Sequence, residues 1–211
     1  MLTSYYTVKQ PGNHEIVIQK SRFITFVRRA YTEEEAQSFI EEVKKEHKNA
    51  NHNCSAYLIG EQDHIQKAND DGEPSGTAGV PMLDVLKKQK LKNTVVVVTR
   101  YFGGIKLGAG GLIRAYGSSV TEAISAVGVV ERIRTQIMTV TADYTLLGKL
   151  ENDIRRSSYQ LKDIRYEENV HIDTYVAAAE TETFTTWITE LSNGQAEVKE
   201  GNTAFLERTL E

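Results

Sequence analysis

Two stretches of the chain gather residue types that can do chemistry. Residues 70–79 read Asp-Asp-Gly-Glu-Pro-Ser-Gly-Thr-Ala-Gly, so Asp70, Asp71 and Glu73 place three carboxylates in four residues. Such a set can hold a hard cation or serve as acid and base. The spacing matches no calcium loop, however, and Asp and Ser also build turns on their own backbone, with Thr77 able to cap a following helix. The second stretch, 100–114, reads Arg-Tyr-Phe-Gly-Gly-Ile-Lys-Leu-Gly-Ala-Gly-Gly-Leu-Ile-Arg, with five glycines among residues 101–111. Glycine permits close backbone approach, and a helix opening behind it offers unpaired N–H groups and positive potential to an anion, with Lys106 and Arg114 to complete the site. The same glycines also suit a tight turn that lets the helix pack on a sheet.

Known phosphate loops do not fit. The dinucleotide fingerprint started at Gly108 needs a glycine at 113 and meets Ile113, and a Walker loop counted from Gly103 needs lysine where Ala109 stands. His52 and Cys54 invite a zinc reading, but no second spaced pair accompanies them. A cysteine nucleophile with His52 or His64 as base lacks an acidic partner at a directed spacing. His14, His47 and His171 fall on expected surface faces. Among the aromatics, Tyr101 and Phe102 are free to stack on unpaired bases, whereas Tyr116 falls on the buried side of its helix.

These residues need elements to hold them. Strands are expected at 14–19 and 22–30, then a helix at 32–48 opened by the capping box Thr32 and Glu35, with Ala36, Phe39, Ile40 and Val43 on one face. Strands at 54–60 and 64–68, the acidic loop 70–79 and a short helix 81–90 follow. The β-branched run 94–99 has the pattern of a strand buried on both faces. After the glycine loop 101–111 comes a helix burying Leu112, Ile113, Tyr116, Val120, Ala123, Ile124 and Val127, stopped by Gly128. From 133 the order changes to strand 134–142, helix 146–156, strands 159–166 and 170–177, helix 182–192 and strand 197–206. That βαββαβ order is the ferredoxin-like arrangement. The fold class is therefore α+β, with domains at 1–131 and 132–211 and a boundary within 129–134.

At 211 residues, with 40% apolar and 26% charged residues, the composition is that of a globular chain of two domains. No run reaches the ~20 apolar residues that span a bilayer. The sequence displays no secretory signal, and its one cysteine suits a reducing compartment, so a cytoplasmic protein without membrane contact is expected. The net charge of −4 is unevenly spread: residues 1–130 hold 16 Lys and Arg against 14 Asp and Glu, and residues 131–211 hold 9 against 15. Residues 81–116 carry seven cations (Lys87, Lys88, Lys90, Lys92, Arg100, Lys106, Arg114) and only Asp84 as an acid. The first domain is thus the expected partner of any anion.

Read together, residues 71–83 (DGEPSGTAGVPML) and 99–117 (TRYFGGIKLGAGGLIRAYG) resemble the signature segments of the YigZ/IMPACT family. The likeness extends to 52–57 and to the order of the C-terminal half, which places the chain in the bacterial two-domain branch. It implies an N-terminal domain similar to the left-handed βαβ ribosomal-protein fold found in domain IV of elongation factor G, followed by a ferredoxin-like domain similar to domain V of that factor. Eukaryotic members regulate translation under amino-acid stress, aided by an extra N-terminal domain that this sequence lacks. The resemblance carries over the loop residues Asp71, Gly72, Glu73, Pro74, Gly76 and Thr77 and the residues Arg100, Tyr101, Gly103, Gly104, Lys106, Gly108, Gly110, Gly111 and Arg114. The leading expectation is a non-enzymatic protein needing no cofactor or metal, which binds RNA, the ribosome or a translation factor, with the second group of residues meeting an anion or nucleic acid. Its rivals are an enzyme acting on a small phosphorylated or peptide substrate, with Asp71 or Glu73 as acid/base, and a protein-binding adaptor.

Overall fold

The valine run forms the middle strand of a five-stranded sheet in the computed structural model, which describes residues 2–210. The strands are β2 (Gly12–Ile18), β3 (Ser21–Arg29), β4 (His52–Ile59), β5 (Ile65–Asn69) and β6 (Thr94–Tyr101), in the order β2-β3-β6-β4-β5 with all neighbours antiparallel. Because side chains alternate along a strand, Val95 and Val97 pack on one face against Ala36, Ile40 and Val43 of helix α1 (Glu33–Glu46). Val96 and Val98 pack on the other against helices α2 (Gly79–Lys88) and α3 (Gly108–Val127). The uninterrupted β-branched pattern is thus that of a strand with a core on each side. β3 and β4 are parallel to each other with β6 between them, and α1 is the crossover that joins them.

Thr32 caps α1, accepting the Glu35 N–H at 3.2 Å, while the Glu35 carboxylate takes the N–H of Tyr31 at 2.7 Å. Strand β1 (Ser4–Val8) lies where no element was expected; Tyr5, Thr7 and Val8 are buried and Ser4 and Tyr6 partly so, too short a pattern to stand out from a lead-in. It leads to Lys9, whose N–H reaches the carbonyl of Gly128 at 2.9 Å, and Gly128 ends α3 with φ 77°.

Three expectations need correction. Helix α3 begins at Gly108, so Gly108, Gly110 and Gly111 lie in its first turn, where the N–H groups have no intrahelical acceptor, and Gly108 enters it with φ 68°. Ile113 is 44% exposed, because the buried stripe of α3 runs through Leu112, Ala115, Tyr116, Ser119 and Val120 and Ile113 lies a helical step off it. His47 does not lie on a surface face: its side chain is 16% exposed, with Nδ1 2.9 Å from the Tyr101 hydroxyl and its ring 5.1 Å from that of Phe26.

The chain divides into two units, one up to Glu131 together with the residues from Arg208 on, the other Arg132–Glu207. The second contains most of β7 (Val129–Ala142) and β10 (Glu197–Thr209) and all of β8 (Gln160–Tyr166) and β9 (Val170–Ala177), in the order β10-β7-β9-β8. Helices α4 (Tyr144–Arg156) and α5 (Thr181–Leu191) contribute Leu150, Ile154, Phe184 and Ile188 to its core. This is the ferredoxin-like βαββαβ order. Among the described residues no helix is long and apolar enough to cross a membrane.

Candidate functional site

The acidic loop is built on Asp70. Its Oδ1 accepts the N–H groups of Ala78 and Gly79 at 3.1 and 2.8 Å, and its Oδ2 accepts that of Gly76 at 2.8 Å. Asp70 therefore caps α2 from eight residues upstream, the task expected of Thr77, whose hydroxyl instead donates to the Pro74 carbonyl at 2.6 Å. Burial pushes the Asp70 carboxyl up, but the three backbone donors outweigh it and hold the group below its ordinary value. A carboxyl so lowered stabilises the fold above its unfolded value of about 3.9 and loses that contribution as pH falls through its folded value. Asp70→Ala is expected to cost about 1–2 kcal/mol at pH 7. The gap from wild type, read from urea midpoints, should narrow at pH 3; a constant gap would assign the loss to packing.

The three carboxylates turn to three sets of partners. Asp71, with φ 42°, accepts the Asn53 N–H at 2.7 Å on Oδ2 and faces Lys44 at 3.2 Å on Oδ1. Glu73 points inward, its side chain 3% exposed, against Arg100, 6% exposed, at 2.6 Å. The same Oε1 accepts the Tyr116 hydroxyl at 2.7 Å. His52 Nδ1 donates to the Asp71 carbonyl at 2.9 Å, which leaves its Nε2 3.8 Å from Glu73 Oε2. The carboxylate is thus held from β6 and α3, with His52 of β4 beside it.

Cys54 lies beneath this group, fully buried, with its sulfur 2.9 Å from the Asp70 carbonyl and 3.3 Å from the Tyr116 hydroxyl. Burial pushes its thiol up to about 12, even though the Tyr116 hydrogen bond opposes the shift. The nucleophile reading of Cys54 is corrected accordingly, because the thiolate is the reactive form. Labelling of the native protein by a maleimide at pH 7 should follow global unfolding, with rapid reaction only in denaturant; fast native labelling would contradict this burial.

Across β6 the glycine loop closes on the β2–β3 hairpin. Gln19 and Lys20 form its two-residue turn with φ 44° and 66°, and a Cβ on Gly103 would stand 2.0 Å from the backbone carbonyl carbon of Lys20. The N–H of Gly103 donates to Ser21 Oγ at 3.2 Å and that of Phe102 to Asn51 Oδ1 at 2.8 Å. Between loop and helix lies a cleft of about 370 Å³, with Glu73 and Arg100, Pro74, Phe102, Lys106 and Leu107, and the first turn of α3 as its lining. No side chain caps that turn, which contains no acidic residue, and Gly108, Ala109 and Gly110 are exposed. Lys106 and Arg114 are also exposed, with the Arg114 guanidinium 3.9 Å from where a Cβ on Gly110 would stand.

Residues 19–124 match the model of the Impact N-terminal domain, and residues 140–195 match that of DUF1949, a domain of unknown function. The chain belongs to the IMPACT family. It is 64% identical to the IMPACT family member YvyE of Bacillus subtilis, over 100% of this chain and 97% of that protein. It is 40% identical to the IMPACT family member YigZ of Escherichia coli, over 68% of this chain and 74% of that protein. The protein IMPACT homolog of Schizosaccharomyces pombe matches at 36% over 44% of this chain and 34% of its own length. The crystal structure of a hypothetical protein superposes with TM-score 0.61 at 30% identity, covering 96% of this chain and 99% of that one.

Within the IMPACT N-terminal domain, the two segments noted in the sequence meet at one place, but their residues divide by task. Glu73, Pro74, Arg100, Lys106 and Gly108 line the cleft, and Arg114 lies beside it over Gly110. Tyr101 is engaged elsewhere, between His47 and the Arg22 guanidinium 5.5 Å from its ring. Asp71, Gly72, Gly76 and Thr77 shape the acidic loop, with Gly72 and Gly76 at φ 87° and 76°. Lys92 of the basic stripe is paired with Asp63. Sequence reasoning missed Lys20 and Ser21, which meet the loop from about 80 residues away, and no local pattern marks them.

Proposed function

We propose that this protein acts in translation as a non-enzymatic RNA-binding factor, whether the RNA is free or part of the ribosome, and that the glycine loop and the start of α3 carry the contact. The translational setting rests on the family resemblance. The observation that carries the binding reading is the pair of exposed cations Lys106 and Arg114 at an uncapped, acid-free helix N-terminus, with exposed Lys20 on the hairpin turn that meets Gly103, in a chain of net charge −4. Phe102, 45% exposed at the rim, adds a surface on which a base can stack. Arg100 is assigned a different part from the one expected of it: it holds Glu73 and shapes the floor of the cleft. The acid/base role considered for Asp71 and Glu73 has less support, since Asp71 is occupied by Asn53 and Lys44 and Glu73 Oε1 by Arg100 and Tyr116.

The test is RNA crosslinking and ribosome co-sedimentation from cells, comparing wild type with a Lys20→Ala, Lys106→Ala, Arg114→Ala variant. Loss of enrichment in the variant is expected. With single-stranded RNA in vitro, removing three phosphate contacts should lower the slope of log affinity against log salt by about 2. Salt-independent binding, or enrichment unchanged in the variant, would overturn the proposal.

A further inference from the structure

We infer that the cleft between the glycine loop and α3 seats a single nucleoside 5′-phosphate. This deepens the RNA reading, on which it rests only for the source of the nucleotide. One end of the cleft is electropositive: the exposed first turn of the 20-residue helix α3, without a capping side chain, stands beside Lys106. A phosphate there meets backbone N–H donors and an ammonium at once.

A second observation is independent of the helix end. The Arg100 side chain is 94% buried in the cleft's wall, and its Nε has no hydrogen-bond partner among the described residues, although its Nη1 and Nη2 face Glu73 and Ser21. A buried guanidinium with an unmet donor is a group still short of an acceptor. Glu73 also lines the cleft, but its charge is matched by Arg100 at 2.6 Å, so the floor is a neutral pair and does not repel an anion.

The rest of the lining selects the body of the ligand. Pro74, Leu107 and Leu112 make it apolar, and the Phe102 ring, with the Arg100 guanidinium 5.6 Å from its centroid, remains nearly half exposed. An aromatic ring backed by a guanidinium is a stacking platform for a base. The volume of about 370 Å³ falls in the range of small-ligand sites, roughly 300–1,000 Å³, and suits one nucleotide better than a duplex.

The experiment is amide NMR of the intact protein titrated with AMP, adenosine, inorganic phosphate, and an oligoadenylate of about eight nucleotides with a 5′-phosphate or a 5′-hydroxyl. AMP should give saturable shifts at Phe102, Gly108, Ala109 and Gly110, with adenosine and inorganic phosphate each weaker by about tenfold or more. Lys106→Ala should weaken AMP by about tenfold. Ala109→Met, which fills the cleft at the exposed first turn, should do the same while the remaining spectrum is unchanged. Preference for the 5′-phosphorylated oligonucleotide assigns the ligand to an RNA end; equal binding of both oligonucleotides with AMP still shifting these amides assigns it to a free nucleotide. No saturable shift with AMP, or phosphate binding as well as AMP, overturns the inference. If AMP fails while RNA still co-sediments, the RNA reading stands without this cleft; if AMP binds and no RNA is enriched, the reverse holds.

Discussion

Arg100→Ala is expected to destabilise the first unit by about 3–5 kcal/mol, because it leaves the Glu73 carboxylate buried without its counter-charge. Glu73 has no solvent to turn to at 3% side-chain exposure, and its other close donor, the Tyr116 hydroxyl, is neutral. Hydrogen exchange of the Val95–Val98 amides in β6 reads this loss where it occurs, since these residues lie in both cores of that unit. The double variant Arg100→Met with Glu73→Gln removes both charges and should recover most of the stability, as buried pairs often do when replaced together. A loss under about 1 kcal/mol for Arg100→Ala would show that the pair is open to water and is not the keystone between β6 and the acidic loop.

Gly103→Ala is the second large effect, at about 3 kcal/mol, the upper end of what overpacking usually costs. The new methyl would stand 2.0 Å from both the carbonyl carbon and oxygen of Lys20 and 2.5 Å from the Ser21 nitrogen, all backbone atoms that cannot swing aside as a side chain can. Either the hairpin turn or the glycine loop must then move, and the Gly103 N–H to Ser21 bond breaks. Gly104→Ala is the control. Gly104 has φ 89° with open space around it, so its variant meets only backbone strain of about 1–2 kcal/mol. Thermal melts of the two variants, with the Ser21 and Gly103 amide shifts, separate the cases; equal losses would mean that the close approach at Gly103 is not rigid.

Both effects turn on partners that local sequence does not name. In register, Arg100 lies opposite Phe23 on one side and His52 on the other. A slip of one residue in either pairing would turn its guanidinium to the α1 face and away from Glu73. Glu73 and Tyr116 are 43 residues apart, and they meet because the helical phase of α3 puts Tyr116 on the buried stripe with Leu112 and Val120.

What the sequence determined by itself was whatever short-range periodicity and local backbone preference encode. The β-branched run of β6, the capping box of α1, the Gly128 stop and the alternation along Val170, Ile172, Thr174 and Val176 each reflect interactions within a few residues, so they were legible with nearly the right ends. The same holds for the α+β class and the βαββαβ order of the second unit. Only the tertiary structure decided which of three neighbouring carboxylates would cap a helix, which would face Lys44 and which would be buried against an arginine. It also decided that Tyr101 would be held by His47 and that Lys20 and Ser21 would close the glycine loop. A side chain's partner is set by strand register, helix phase and the depth at which water is excluded, and these exist only once the sheet and helices have packed together.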